Sequence, residues 1–190
     1  MSAPPIAIGE LQVQRIEENC GPFFPPSVLL PDLPPDALQR HRDWIAPNYY
    51  DEAQNLLVAS IHSWLVRTPH HTVLIDTCVG NHKSRPNFPI MDQLDTPWLD
   101  RLAAAGVSPE QVDFVMCTHL HLDHVGWNTR LADGRWVPTF PRAKYLWGRR
   151  EFEHWRSPNA PTFNGGVLED SVLPVVEAGL SQRLCCRFCG

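Results

Sequence analysis

The stretch Cys117–Asn128, CTHLHLDHVGWN, places three histidines and one aspartate within six positions. It continues from the apolar run Asp113–Thr118 (DFVMCT), which predicts a β-strand. If the chain stays extended for a few residues beyond this strand, His119 and His121 project to the same side, because successive side chains alternate across a strand. Their imidazoles then converge on one point, while the intervening leucines point into packing.

The chain is expected to turn directly after these two histidines. Gly126 lacks a side chain and permits close backbone approach, so that Asp123 and His124 point at a neighbouring position. Imidazole nitrogens with a carboxylate oxygen suit zinc, and also iron or manganese. Ordinary surface histidines beside one acid are the alternative, but such a dense cluster directly after an apolar strand favours a metal site.

The composition restricts the classes of protein. With 190 residues and 43% hydrophobic residues, the chain is long enough for one domain with a sizeable core. A net charge of −5 provides no basic surface for nucleic acid or anionic lipid. The start, MSAPPIAIGE, lacks the pattern of a signal peptide, and no apolar run approaches the roughly 20 residues of a membrane span. We therefore expect a cytoplasmic protein that binds neither nucleic acid nor membranes.

Hydrophobic periodicity and turn residues predict alternating strands and helices. The proline-rich segment 21–48 is expected to be extended, without regular helix. The helix 96–106 is expected to have Thr96 as its N-cap and Gly106 past its end, and Ser108 is expected to cap a second, shorter turn. Further strands are predicted at Ile8–Ile16, Asn55–Arg67, Thr72–Asp76 and Arg142–Trp147, with a short helix at Arg149–Arg156. This order predicts mixed, layered α/β architecture.

The pattern His119-x-His121-x-Asp123-His124 after a strand resembles the metallo-β-lactamase superfamily, whose αββα fold carries metal ligands on loops at one edge of two packed sheets. The stretch Leu74–Asn81 (LIDTCVGN) is similar to an earlier motif of that family. The segment GRWVPTFPRAKYLWGRREFEHW is similar to its lactonase-like and organophosphate-hydrolase-like branches. The resemblance covers roughly residues 8–176.

The resemblance implies a role for each residue of the cluster. His119 and His121 would hold a first metal, and Asp123 with His124 a second, most simply one or two Zn²⁺ ions. Asp123 would also orient the nucleophilic water and accept its proton, and Asp76 would order the metal loop from behind. The implied substrate is a small-molecule lactone, carboxylic ester or phosphotriester.

The family completes its site with later ligands that the sequence does not supply. The one histidine after the cluster, His154, lies in a predicted helix and is expected on the surface or in packing, and Asp170 lies outside any recognisable motif. Each metal would keep only two ligands, whereas a catalytic zinc has three from the protein. We therefore expect a C-terminally truncated chain with impaired metal binding, and an incomplete second half of the fold.

The ending SQRLCCRFCG shows no periodicity and suggests translation out of frame or an artificial end. Residues 1–180 are thus expected to form a partial domain and residues 181–190 an atypical tail. Cys186 and Cys189 have the spacing of half a thiolate metal site, a less favoured interpretation because a second pair is absent. An apolar face left uncovered by the missing half would favour a homo-oligomer.

Two other functions stay open from the sequence. The chain is either an impaired hydrolase, a non-catalytic remnant or interaction module of the same fold, or a dioxygenase that uses one iron. Cys117 and Cys78 are expected to be buried cysteines rather than ligands. Trp127, directly after the cluster, is a candidate for lining a substrate pocket.

Overall fold

The structure is a computed structural model that describes residues 4–184. The tail cysteines Cys185, Cys186 and Cys189 lie outside the described residues. The described chain divides into two compact units, one of residues 4–18 with 62–184 and one of Asn19–Ile61. No helix among the described residues is long and apolar enough to cross a membrane.

The strands within residues 4–184 are β1 Ile6–Ile8, β2 Leu11–Phe24, β3 Tyr50–Asp51, β4 Leu56–Arg67, β5 Thr72–Ile75, β6 Phe114–Met116, β7 Thr129–Ala132, β8 Arg135–Pro138, β9 Lys144–Gly148 and β10 Ser181–Leu184. The α-helices are α1 Pro26–Leu29, α2 Ala37–Arg40, α3 Arg42–Ile45, α4 Trp98–Ala104, α5 Arg149–Trp155 and α6 Leu173–Glu177. Short 3₁₀ turns occur at Pro109–Gln111, Gly126–Asn128 and Thr162–Asn164, and a π-helical segment at Leu168–Val172 precedes α6.

A large mixed sheet in the order β1-β2-β4-β5-β6-β9-β10 organises the fold, and β7 and β8 form a separate antiparallel hairpin. The strands β5, β6, β9 and β10 are mutually parallel, whereas β4 pairs with β5 antiparallel. Parallel strands require crossover connections. Here α4 lies between β5 and β6, the cluster and the β7–β8 hairpin between β6 and β9, and α5 and α6 between β9 and β10. This architecture confirms the mixed α/β class predicted from the sequence.

The core of the larger unit lies at the parallel strands. Leu74, Val115 and Tyr145 stand opposite one another across β5, β6 and β9, and all three are fully buried. The Tyr145 hydroxyl donates to the backbone oxygen of Asn128 at 3.0 Å, so burial of the ring does not leave its polar end unpaired. From α4, Trp98 adds a large fully buried aromatic side chain.

The structure corrects the predicted start of the helix at 96–106. The helix begins at Trp98 with Pro97 at its N-cap, and the Thr96 hydroxyl lies 3.3 Å from the side-chain oxygen of Asn81 instead of capping the helix. The end is as predicted, because Gly106 follows the helix with φ +82°, a conformation that glycine adopts without steric cost. The predicted cap at Ser108 is also confirmed, as a capping box with Gln111.

Three other segments differ from the predictions. The proline-rich segment, taken by itself, contains the one-turn helices α1, α2 and α3. In α1, Pro26 lies in the first helical turn, where proline is tolerated, and α2 and α3 contain no proline. The strand predicted at Ile8–Ile16 turns back at Gly9, where φ is +59°. Ser181–Leu184, for which the sequence predicted no fold element, pairs in parallel with β9 as β10.

Candidate metal centre

Three neighbouring parallel strands bring the candidate site together at their carboxyl ends. Asp76 follows β5 directly, the histidine cluster follows β6, and Glu151 lies in the first turn of the helix that follows β9. Because the carboxyl ends of parallel strands meet at one edge of a sheet, these three segments are adjacent in space although 75 residues separate the first from the last.

The three histidine rings are in mutual contact. The ring centroids of His119 and His121 lie 4.4 Å apart, and those of His119 and His124 lie 3.9 Å apart. The Nε2 atom of His124 is 3.5 Å from Oδ2 of Asp123. All four predicted ligands are partly exposed, while Leu120 and Leu122 between them are buried, as the alternation of side chains predicted. The structure therefore brings the predicted residues together at one accessible place.

Asp76 supports the cluster through hydrogen bonds to Thr118 and His124. Its Oδ1 accepts the backbone N–H of Thr118 at 2.7 Å, and its Oδ2 accepts the Thr118 hydroxyl at 2.7 Å. The same Oδ2 lies 2.8 Å from Nδ1 of His124. Asp76 adopts φ +57°, an uncommon conformation for a residue with a side chain, and such strain concentrates at functional sites. With its Nδ1 donating to Asp76, His124 presents Nε2 to the accessible side of the cluster.

Burial and neighbouring charges alter the acid–base properties of the cluster. Burial lowers the pKa of His124, but hydrogen bonds and charges from Asp123 and Asp76 outweigh it and raise this pKa to about 9. Burial and the two neighbouring imidazoles lower the pKa of His119 below its usual value. For Asp123, burial raises the pKa, but the hydrogen bond and charge of His124 dominate and lower it overall. Asp123 thus favours its ionised, acceptor form.

Gly126 is required for the cluster to dock on the loop after β5. A Cβ atom at Gly126 would lie 1.7 Å from the backbone oxygen of Val79, far inside van der Waals contact. The close approach allows three backbone hydrogen bonds of 2.7 Å between the two segments: Thr77 N–H to His124 O, Gly126 N–H to Cys78 O, and Trp127 N–H to Thr77 O. The close approach inferred for Gly126 from the sequence is confirmed.

A buried carboxylate that the sequence did not reveal also holds this loop. Glu18 accepts the backbone N–H groups of Val79 at 2.8 Å and Gly80 at 3.1 Å, and the indole N–H of Trp127 at 2.7 Å. Burial raises the pKa of Glu18, and the three donors oppose this effect. Trp127 itself is 4% exposed and stacks on Trp98 with ring centroids 5.5 Å apart. The prediction that Trp127 lines a substrate pocket is therefore wrong, and its ring belongs to the core.

The remaining candidates have structural roles. Burial raises the pKa of Cys117 to about 12, and its Sγ lies against the side chain of Asn128, as expected for a packed thiol. His154 is exposed on α5. Asp170 accepts two hydrogen bonds from Arg85, at 2.7 and 2.8 Å, and lies 3.6 Å from the buried Lys83 ammonium. Asp170 is thus paired with Arg85 and Lys83 inside the fold, which is a structural role.

The side chains of the cluster are of the types that bind a divalent metal, and they lie close together. Their arrangement around a single ion is incomplete. Imidazole nitrogens and a carboxylate are the ligands that zinc takes in proteins. Within residues 4–184, however, no group of three or more histidine, cysteine, aspartate or glutamate side chains is arranged to hold one ion. The residues His119, His121, Asp123 and His124 thus bring zinc-type donor groups close together without enclosing one point.

Several proteins of known activity are similar to this chain. Over 83 residues it is 37% identical to the N-acyl homoserine lactonase AttM of Agrobacterium fabrum, a match that covers 44% of this chain and 28% of that protein. It is 27% identical over 96 residues to the N-acyl homoserine lactonase AiiB of the same strain, covering 44% of the chain and 34% of that protein. The chain thus aligns with about a third or less of the length of these relatives.

Solved structures show the same fold. The hydrolase AbOPH of the beta lactamase superfamily superposes with a TM-score of 0.72 at 24% identity, over 96% of this chain and 60% of that chain. The dizinc quorum-quenching lactonase AidC superposes with a TM-score of 0.64 at 19% identity, over 96% of this chain and 61% of that chain. The predicted fold is thereby confirmed.

The family profile described as Metallo-beta-lactamase superfamily matches residues 56–172, which include β5, β6, β9 and the whole histidine cluster. Because this match covers more than half of the 190 residues, the chain belongs to the metallo-beta-lactamase superfamily.

Proposed function

We propose that this chain carries the metal-binding part of a hydrolase whose substrates are small-molecule lactones, with carboxylic esters and phosphotriesters as related substrates. The lactone class comes first because the matched relatives are N-acyl homoserine lactonases. The observation that carries the proposal is the meeting of three imidazoles and the Asp123 carboxylate at the carboxyl edge of the parallel strands.

In this proposal, His119 and His121 bind a first divalent ion, and Asp123 with His124 a second, with zinc as the ion best suited to the donors. A metal bound here would polarise the ester oxygen and lower the pKa of a water molecule. Asp123, whose pKa His124 lowers, would orient such a water and accept its proton. Asp76 fixes the ring of His124 through the hydrogen bond to Nδ1.

Hydrolysis measured with and without added Zn²⁺ tests this proposal. The substrates are an N-acyl homoserine lactone, an aryl ester and an aryl phosphotriester, each incubated with the wild-type chain, His121→Ala and His154→Ala. We expect weak zinc-dependent lactone hydrolysis, because each ion would keep only two protein ligands. His121→Ala should abolish this activity and His154→Ala should preserve it, because His154 is an exposed histidine outside the cluster. Zinc-dependent hydrolysis that survives His121→Ala would refute the assignment.

A second candidate is a non-catalytic module of the same fold. It is favoured by the finding that no three ligands in the described residues are arranged around one point. This alternative predicts a folded chain that binds no zinc and hydrolyses none of the three substrates. Zinc binding without hydrolysis would instead indicate a metal site that lacks the remaining catalytic groups.

A further inference from the structure

The peptide groups on both sides of Leu120, between the first two histidines of the cluster, are held by side chains from later in the chain. The backbone N–H of Leu120 donates to Oε1 of Glu151 at 2.9 Å. The backbone oxygen of Leu120 accepts from Nδ2 of Asn164 at 2.8 Å, which also fixes the orientation of that amide. Leu120 itself is fully buried.

The two hydrogen bonds of Leu120 lie beyond the end of β6, where no neighbouring strand within the described residues pairs with its backbone. The strand β6 ends at Met116, so the following residues leave the regular ladder while still carrying the backbone polar groups that burial obliges to pair. A pair of bonds to one residue fixes the planes of the peptides before and after it. Because these peptides join Leu120 to His119 and His121, the bonds fix the directions in which both histidine side chains leave the backbone.

Glu151 is itself held in place. The indole N–H of Trp155, one helical turn further along α5, donates to the same Oε1 atom at 2.7 Å. The Trp155 ring meets the ring of His121 edge-on, with centroids 5.2 Å apart. Trp155 and Asn164 are 8% and 6% exposed, so the bond from Asn164 to Leu120 is shielded from competing water, whereas the Glu151 carboxylate is partly exposed.

We propose that Glu151, Trp155 and Asn164 form a bracket that positions His119 and His121, with Glu151 and Asn164 as positioning residues for the candidate metal centre. The bracket is a property of the apo fold, and its consequence for metal binding rests on the proposed function. If Glu151 only stabilised the fold, its replacement would lower the melting temperature. It would not change the local order at Leu120 or the affinity of the folded protein for metal.

The test compares four variants of the full chain. Glu151→Ala removes the acceptor, and Glu151→Gln keeps an oxygen for the Leu120 N–H. Asn164→Leu removes the donor at similar size and provides a second test should Glu151→Ala not fold. Phe152→Leu is the matched control, because Phe152 is 1% exposed on the same helix and packs on Trp147. It destabilises α5 without touching the bracket.

The first measurement is amide hydrogen exchange at Leu120, which needs no metal. Each variant is measured at the same number of degrees below its own melting temperature. We expect the Leu120 amide to exchange at least about 10-fold faster in Glu151→Ala than in Phe152→Leu. In Glu151→Gln its exchange rate should be near that of wild type. Equal exchange in Glu151→Ala and Phe152→Leu would overturn the bracket.

The second measurement is the affinity for Co²⁺ or Zn²⁺ by titration. We expect Glu151→Ala and Asn164→Leu to bind about 10- to 100-fold more weakly, and Glu151→Gln and Phe152→Leu to stay within about 3-fold of wild type. Unchanged affinity in both bracket variants would overturn the positioning role. If the wild-type chain binds neither ion, the proposed metal function fails, and the exchange at Leu120 still decides whether the bracket exists.

Discussion

Substitution of Gly126 by alanine should separate the histidine cluster from the loop that carries Asp76. The new Cβ would lie 1.7 Å from the backbone oxygen of Val79 and 1.9 Å from its carbonyl carbon. Both atoms belong to backbone, so no side-chain rotation relieves the overlap, and the two segments must move apart. Separation breaks the three 2.7 Å backbone hydrogen bonds between them.

The expected cost follows from those bonds. At about 0.5–1.5 kcal/mol net for each bond, three bonds amount to about 1.5–4.5 kcal/mol. Loss of packing around the displaced loop adds to this, so we expect the free energy of unfolding to fall by about 3 kcal/mol or more. For a chain of this size the melting temperature should fall by about 6–12 °C.

Urea and thermal unfolding followed by circular dichroism measure this effect. Gly148→Ala is the matched control, because a Cβ there would meet only the Cβ of Glu151 at an ordinary 3.6 Å. We expect this control to stay within about 1 kcal/mol of wild type. If Gly126→Ala were as stable as Gly148→Ala, the close approach of the two segments would be refuted.

Three further predictions concern titration and reactivity. In Asp76→Asn without metal, the pKa of His124 should fall from about 9 towards 6.5, because one of its two anionic partners is lost. NMR titration of the imidazole measures this pKa, and an unchanged value would show that Asp76 is not such a partner. Burial lowers the pKa of Lys83 to about 7, below its unfolded value, so unfolding takes up a proton above pH 7. The free energy of unfolding of wild type should therefore rise relative to Lys83→Met between pH 7 and about 10.5, and a constant difference over that range would contradict this. Iodoacetamide should label the exposed Cys20 and spare the buried Cys117 under native conditions, as peptide mapping would reveal, and equal labelling of both would contradict the burial of Cys117.

Features encoded in short stretches of sequence could be predicted. The apolar run before the cluster forms β6, the alternation around Leu120 buries the leucines, and Gly126 marks the close approach. Each depends on residues within about ten positions of one another, where periodicity and glycine carry direct information. The Asp133-Gly134 pair, with φ of +51° and +73°, is a comparable local signal for the β7–β8 hairpin.

Features created by contacts between distant residues could not be predicted. Glu18 and Trp127 are 109 positions apart, and nothing near either residue indicates that a buried carboxylate meets an indole N–H. Glu151 likewise looks like an ordinary acidic residue in the first turn of a helix, where acids favour the helix dipole. Only the parallel pairing of β6 and β9 brings it to the backbone of Leu120.

Equilibrium dialysis against Zn²⁺, followed by elemental analysis of the retained protein, tests the proposed metal-binding role of the cluster most directly. Wild type and the double variant His119→Ala/His121→Ala are compared under conditions in which circular dichroism shows both to be folded. We expect wild type to retain zinc and the double variant to lose at least one bound ion per chain relative to it. Equal zinc retention by the two proteins, or none by wild type, would contradict a metal centre built on these histidines.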